Sequence, residues 1–288
     1  MKLTEVGVTT EEKGEILLDQ IIERLCIRCG NNRRGITDIR HIHQIDTWDC
    51  GLTCIQMVTN WLHDNNLATQ EEQLTQKRWM IEFVKAKSLW TIDLVMLLQH
   101  MLQDVSARND SSTSTHISLS TYLFCSKKFG VDESYNKLLY YRDAFSADKV
   151  RVTGLFDVAE QQKLMKVNHL SLDVLINLVT RENVVGIVLL DNTIFAQLDT
   201  DENKQESGLP YSGHYVVLCG ISTDENDLKF AKMNSLKDDG ETYNYCMVIK
   251  NPGVWKETQF VTPRLFETSW RAKGTDEDII LIAKHHYR

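Results

Sequence analysis

A chain of 288 residues with 42% hydrophobic and 25% charged side chains has the make-up of an ordinary globular protein able to bury a full core, which excludes a disordered one. Three prolines and no low-complexity spacer leave no place to divide it, so one elaborated domain is expected. The formal net charge of -8 argues against DNA or RNA as partner, because nucleic-acid affinity rests on clustered Lys and Arg.

The opening MKLTEVGVTTEEKGE lacks the basic start and apolar centre of a signal peptide, and no later apolar run reaches the roughly 18 residues of a spanning helix. No membrane association is expected, and the location expected is the cytoplasm, with the nucleus as a further compartment. Seven cysteines in such a chain read as reduced thiols.

Residues 11 to 26 place Ile16, Leu17, Ile21, Ile22 and Leu25 at helical spacing, an amphipathic helix within an N-terminal extension over 1–38 that precedes the catalytic domain at 39–288. IRHIHQI at 39 to 45 alternates as a short extended segment. From Cys50 to Leu62 the positions Leu52, Ile55, Val58 and Trp61 recur at helical intervals, with Asp49 ahead as N-cap. Residues 71 to 86 and 90 to 103 read as helices, the second with Thr91 as its cap. A loop follows at 110 to 115, then a strand in ISLSTYLF and helices near 133 to 145, 155 to 166 and 171 to 181. VVGIVLLD, HYVVLCGI, YCMVIKN and DIILIAK are short β-rich runs. Helices first and strands second indicate an α+β fold, with an N-terminal helical half and a C-terminal antiparallel sheet half, in which a papain-like cleft is expected.

Three segments carry chemistry. In QIDTWDCGLTC, Cys50 stands at a helix start, where unpaired N–H groups and the dipole favour a thiolate and lower its pKa. The Gln44 amide and the Cys50 N–H suit an oxyanion hole, and Gly51 lets substrate approach the backbone. His214 heads a β-prone run after LPYSG, a rigid mount for a general base. Asn251 ends YCMVIKN before Pro252 and suits the group that orients the imidazole. Taken singly, Cys50 is core filling, His214 a strand end and Asn-Pro-Gly a turn. The order Gln, Cys at a helix start, His at a strand start, Asn at a strand end is the papain-like scheme. Cys54, one helical turn below Cys50, reads as core, with nucleophile or resolving thiol as its alternatives. Trp48, Gly51 and Gly213, neighbours of Cys50 and His214, are assigned to substrate binding. Cys26, Cys29, His41 and His43 have zinc-type side chains but lack the paired spacing of a zinc motif, so neither a metal nor any other cofactor is expected.

WDCGLTC at 48 to 54, SLWTIDL at 88 to 94, GHYVVLCG at 213 to 220, NPG at 251 to 253 and GTDEDIIL at 274 to 281 together resemble the guanylyl cyclase domain-containing protein family, which is related to papain-like peptidases that cleave bacteriocin leaders. That resemblance covers most of residues 40 to 284. It implies that Gln44, Cys50 and His214 are functional. The leader peptidases usually carry Asp where this chain has Asn251, the residue type papain uses. The expected function is a cysteine-dependent hydrolase, a peptidase or amidase, acting on a peptide, a protein or a small amide. Passing the thioester to an amine instead of water stays open. Two other classes remain: cyclisation of GTP to cyclic GMP, which the family name implies although no phosphate loop or acidic metal pair is visible, and an inactive interaction module docking through the Trp90 helix or the acidic loop at 199 to 206.

Overall fold

Helix α1 (Cys50–Leu62) is apolar on every side, with Leu52, Cys54, Ile55, Met57 and Val58 fully enclosed, and so lies inside the molecule instead of on its surface. Its C-terminal end is closed from far away in sequence, for the buried Lys284 donates from Nζ to the Trp61 carbonyl at 2.8 Å, a cation on the negative end of the helix. Helix α2 (Gln70–Val84) starts at a capping box formed by Thr69 and Glu72 and is tied to α1 where Gln56 Nε2 donates to the Gln73 carbonyl at 2.6 Å. Helices α3 (Thr91–Ala107) and α4 (Phe145–Gln161) complete the N-terminal set. The expected Thr91 cap is not formed: Thr91 is the first helical residue, and its hydroxyl lies 3.0 Å from the Tyr215 phenol.

The computed structural model describes residues 35–63, 69–107, 120–131, 145–164, 166–181, 183–196, 211–233 and 241–284. The helix expected over 11 to 26, the loop at 110 to 115, nearly all of the helix near 133 to 145 and the acidic loop at 199 to 206 lie outside these residues. Among the described residues no helix is long and apolar enough to cross a membrane.

The β-rich runs assemble into one seven-stranded sheet. Its strands are β1 (Ser120–Cys125), β2 (Lys166–Val167), β3 (Val184–Asp191), β4 (Gly213–Ser222), β5 (Cys246–Lys250), β6 (Gln259–Val261) and β7 (Ile279–Lys284), in the order β2-β1-β7-β3-β4-β5-β6. Every pairing is antiparallel except β1 with β2. Alternation of side chains along the strands sends Val185, Ile187, Leu189, Tyr215 and Val217 to α1, α3 and α4 on one face. Val184, Val188, Leu190, Val216 and Leu218 go to the other face, under α5 (Leu172–Val179) and, beyond the short α6 (Asn192–Phe195) and α7 (Glu225–Met233), α8 (Pro263–Trp270). The α+β class therefore holds, but the division into a helical half and a sheet half does not. C-terminal helices cover the second face, because a sheet whose central strands are apolar on both sides needs two covers.

Residues 35 to 37 lie against a bulge in β4, with Thr37 N–H on the Cys219 carbonyl at 2.7 Å and Ile221 N–H on the Gly35 carbonyl at 2.7 Å. Gly220, at φ +141°, faces that strand so closely that a Cβ would be driven into the Gly35 carbonyl. Gly220→Ala is expected to destabilise the fold by about 3 kcal/mol, read as a lowered denaturant midpoint at unchanged slope.

Candidate active site

The strands β3 and β5 end, and β4 begins, at the same edge of the sheet, and α1 points its N-terminus there. This places the thiol of Cys50, at 7% exposure, next to the first residues of β4. His214 and Asn251, both buried, meet directly: His214 Nε2 and Asn251 Oδ1 are 2.8 Å apart.

The chemistry of that contact is fixed by its neighbours. Gly253 N–H, which can only donate, also reaches Asn251 Oδ1 at 2.8 Å, and Asn251 Nδ2 donates to Gln259 Oε1 at 2.9 Å. The atom facing the imidazole is therefore the amide oxygen, an acceptor, so Nε2 carries the proton and Nδ1 keeps a free lone pair. His41 Nε2 binds the Asn251 carbonyl at 2.9 Å, and Gln44 N–H donates to the Pro252 carbonyl at 2.9 Å, so the segment before α1 is laced to the turn after β5. Gly253 is part of the fit: a Cβ there would meet Asn251 Oδ1 at 3.2 Å and the imidazole at 3.2 to 3.3 Å.

The electrostatics differ from the expectation of a thiolate. Burial pushes the Cys50 thiol up, partly offset by the backbone N–H groups of Tyr215, Gly51 and Cys50 itself, while the Asp49 carboxylate pushes it further up. Burial lowers the His214 pKa, opposed by its bond to Asn251. Desolvation outweighs the helix terminus, and both shifts favour a neutral thiol beside a neutral imidazole. Among the described residues no hydrogen bond joins the Cys50 sulfur to the ring, and the Tyr215 N–H is the neighbour that most lowers the thiol's pKa. Asp49 occupies the N-cap position without capping by its side chain, which instead forms a buried ion pair with Lys77 and accepts Asp46 N–H at 3.2 Å.

The remaining expected residues divide. Gln44 Nε2 donates one hydrogen to the Asp46 carbonyl at 2.9 Å and retains a second, while its Oε1 is buried without a protein partner among the described residues. Trp48 is half-buried against the core, with Lys87 Nζ 5.8 Å from its ring centroid. Gly51 is not a gap for substrate: a Cβ would meet Leu94 at 3.0 Å and the Tyr215 ring at 3.1 Å, so tight packing of α1 demands it. Gly213 likewise makes room for the Tyr211 hydroxyl, 2.8 Å from its would-be Cβ. Cys54 is fully enclosed, and burial raises its thiol pKa well above the ordinary range, as befits a core residue. His41 is used by Asn251, and His43 stacks on Trp255 with centroids 3.8 Å apart; Cys26 and Cys29 lie outside the described residues.

Gln259, Gly253 and Tyr215 are not assigned to the site by the sequence, and His41, which has a zinc-type side chain, instead holds the Asn251 carbonyl. Of these, only Gly253 had a local signal, in the Asn-Pro-Gly turn, and only Tyr215 was adjacent to a foreseen residue.

A family model described as guanylylate cyclase matches residues 39–282. The chain is also similar to Guanylyl cyclase 1 of Arabidopsis thaliana, with 26% identity over 258 residues, covering 87% of this chain and 77% of that protein.

Proposed function

The chain belongs to the guanylylate cyclase family, and from the placement of Cys50, His214 and Asn251 we propose that it is a cysteine-dependent hydrolase of papain-like architecture, acting on a peptide or another amide. The observation that carries this reading is the locked tautomer of His214, which presents a basic Nδ1 from a ring held through Asn251 by Gly253 and Gln259. A histidine held merely as a strand end needs no such bracing.

In the proposed reaction His214 Nδ1 takes the thiol proton as Cys50 Sγ attacks the carbonyl carbon, so charge develops only during attack. The Cys50 N–H and the second amide hydrogen of Gln44 hold the oxyanion. Collapse returns the proton from Nδ1 to the departing amine, leaving a thioester on Cys50. Water then attacks the thioester with His214 again as base, releasing the acid and restoring the thiol. Asn251 Oδ1 supports the imidazolium at both stages, less strongly than a carboxylate would.

Acyl transfer from p-nitrophenyl acetate tests this without knowledge of the natural substrate. Gln44→Ala is expected to slow acylation of Cys50 about a hundredfold at nearly unchanged ester affinity. Equal acylation rates would remove Gln44 from the site, and a wild-type protein that is not acylated at Cys50 at all would overturn the hydrolase reading. The relative's name supports a second reading, cyclisation of GTP. Cyclic GMP formed equally by wild type and Cys50→Ala in the presence of Mg²⁺ would move the conclusion there.

A further inference from the structure

Two stretches singled out in the sequence, SLWTIDL and GTDEDIIL, take no part in the proposed chemistry, yet they meet beside Tyr215, the residue after His214. The loop before β7 adopts an unfavourable backbone: Gly274 has φ +108°, and the non-glycine residues Asp276 and Glu277 have φ +49° and +56°. It is held by Thr275, whose hydroxyl bonds the Trp270 and Ala272 carbonyls, and by Glu277, which pairs outward with Arg271, His169 and Lys127. Asp278 turns the other way, into the protein.

Both neighbours of His214 in the chain are gripped by this loop. Gly213 lies against Tyr211, whose ring in turn packs 2.9 to 3.0 Å from the would-be Cβ of Gly274. Tyr215 is reached through a hydroxyl chain: its phenol is 3.0 Å from Thr91 Oγ1, and the Thr91 and Ser126 hydroxyls lie close enough to the Asp278 carboxyl to hold its pKa down against burial. The Asp278 carbonyl also accepts Leu189 N–H at 3.1 Å, and Leu189 is the cross-strand partner of Tyr215. At the far end of the chain, the Tyr215 N–H faces the Cys50 sulfur and draws its pKa down.

Resting on the reading of Cys50 as nucleophile, we propose that Asp278 is a positioning residue, which through Thr91 and the Tyr215 phenol sets the onset of β4 and keeps the Tyr215 N–H on the Cys50 sulfur. A carboxyl with one oxygen enclosed and unpartnered is a poor choice for stability alone. Its Oδ1 has no hydrogen-bond partner among the described residues, and burial pushes its pKa up to about 7, with Asp276 adding to the rise against the Ser126 and Thr91 hydroxyls.

The test is the rate of iodoacetamide alkylation at Cys50, followed by peptide mapping at pH 7.5 alongside Tm, in wild type, Asp278→Ala, Tyr215→Phe, the double variant and Asp278→Asn. Each of the first two single substitutions is expected to slow alkylation about tenfold, as a thiol pKa raised by one unit would. The double variant is expected to be no slower than either single one, since both cut the same chain. Asp278→Asn, which can still bond Thr91 and Ser126, is expected to restore the rate to within about threefold of wild type. Effects that multiply in the double variant, or an Asp278→Ala rate equal to wild type, would overturn the proposal. Should Asp278→Ala not fold, Thr91→Val replaces it in the same cycle, because Thr91 is the link the chain requires. Acylation by p-nitrophenyl acetate separates the two levels: a Cys50 acylation rate that His214→Ala leaves unchanged sinks the nucleophile reading, whereas acylation that responds to His214 together with alkylation that does not respond to Asp278 sinks only this inference.

Discussion

Cys50→Ala is expected to melt within a few degrees of wild type while losing at least about a thousandfold in acyl transfer. The side chain removed is small and almost enclosed, so the loss of packing is minor, and the substitution also removes a thiol whose charged form is disfavoured there. Covalent chemistry, by contrast, has no substitute for the sulfur. The same thiol sets a pH signature. Because burial raises the Cys50 pKa from 9.0 and lowers that of His214 from 6.5, the unliganded pair is neutral at pH 7. Alkylation of Cys50 should therefore climb with pH through and beyond 9, where the thiolate forms, with no plateau between pH 5 and 7. A rate that is already maximal near pH 6 would mean a preformed ion pair and would reverse the assignment of a neutral resting state. Labelling should also distinguish Cys50 from Cys54, Cys125, Cys219 and Cys246, all at 1% exposure or less.

The foreseen site residues and the features that hold them differ in how far local sequence could reveal them. The ends of α1, β4 and β5 were visible as changes of period, from helical spacing at Cys50 to continuous β-prone runs at His214 and before Asn251, and a chain-order pattern needs only those ends. The second helical cover was signalled but misread. VVGIVLLD has no polar alternation, the mark of a strand buried on both faces, and Thr262 followed by Pro263 is an ordinary helix start for α8. Gly51 and the raised Cys50 pKa were beyond local reading, because Gly51 answers to Leu94 and Tyr215 packing on α1 from distant segments and the thiol to its burial in the assembled fold. A helix terminus is encoded in a few neighbouring residues; desolvation is encoded in the whole packed layer, and here it is the larger effect. Gln259 is of the same kind: a glutamine on a short edge strand acquires a role only because β6 pairs beside the end of β5.

That packed layer also exposes the protein to a large loss of stability at Lys77→Met. Lys77 comes from α2, is 5% exposed and forms an ion pair with Asp49, which is fully enclosed directly before Cys50. Methionine fills the same space but leaves the Asp49 carboxylate buried with only the Asp46 N–H, so a destabilisation of about 4 kcal/mol is expected, measured by chemical denaturation. Asp49→Asn combined with Lys77→Met should recover most of it, since what costs energy is a lone charge and not the absence of the pair. The site registers the same event. Asp49 already raises the Cys50 pKa, and without the ammonium beside it that repulsion of the thiolate is uncompensated, so Cys50 alkylation at pH 7.5 should slow in Lys77→Met and return in the double variant. Recovery of stability without recovery of alkylation would show that Lys77 acts on the fold alone. Recovery of both would place the Asp49–Lys77 pair among the determinants of thiol reactivity, with Lys77 as the counterweight to a carboxylate that the start of α1 otherwise sets against the Cys50 thiolate.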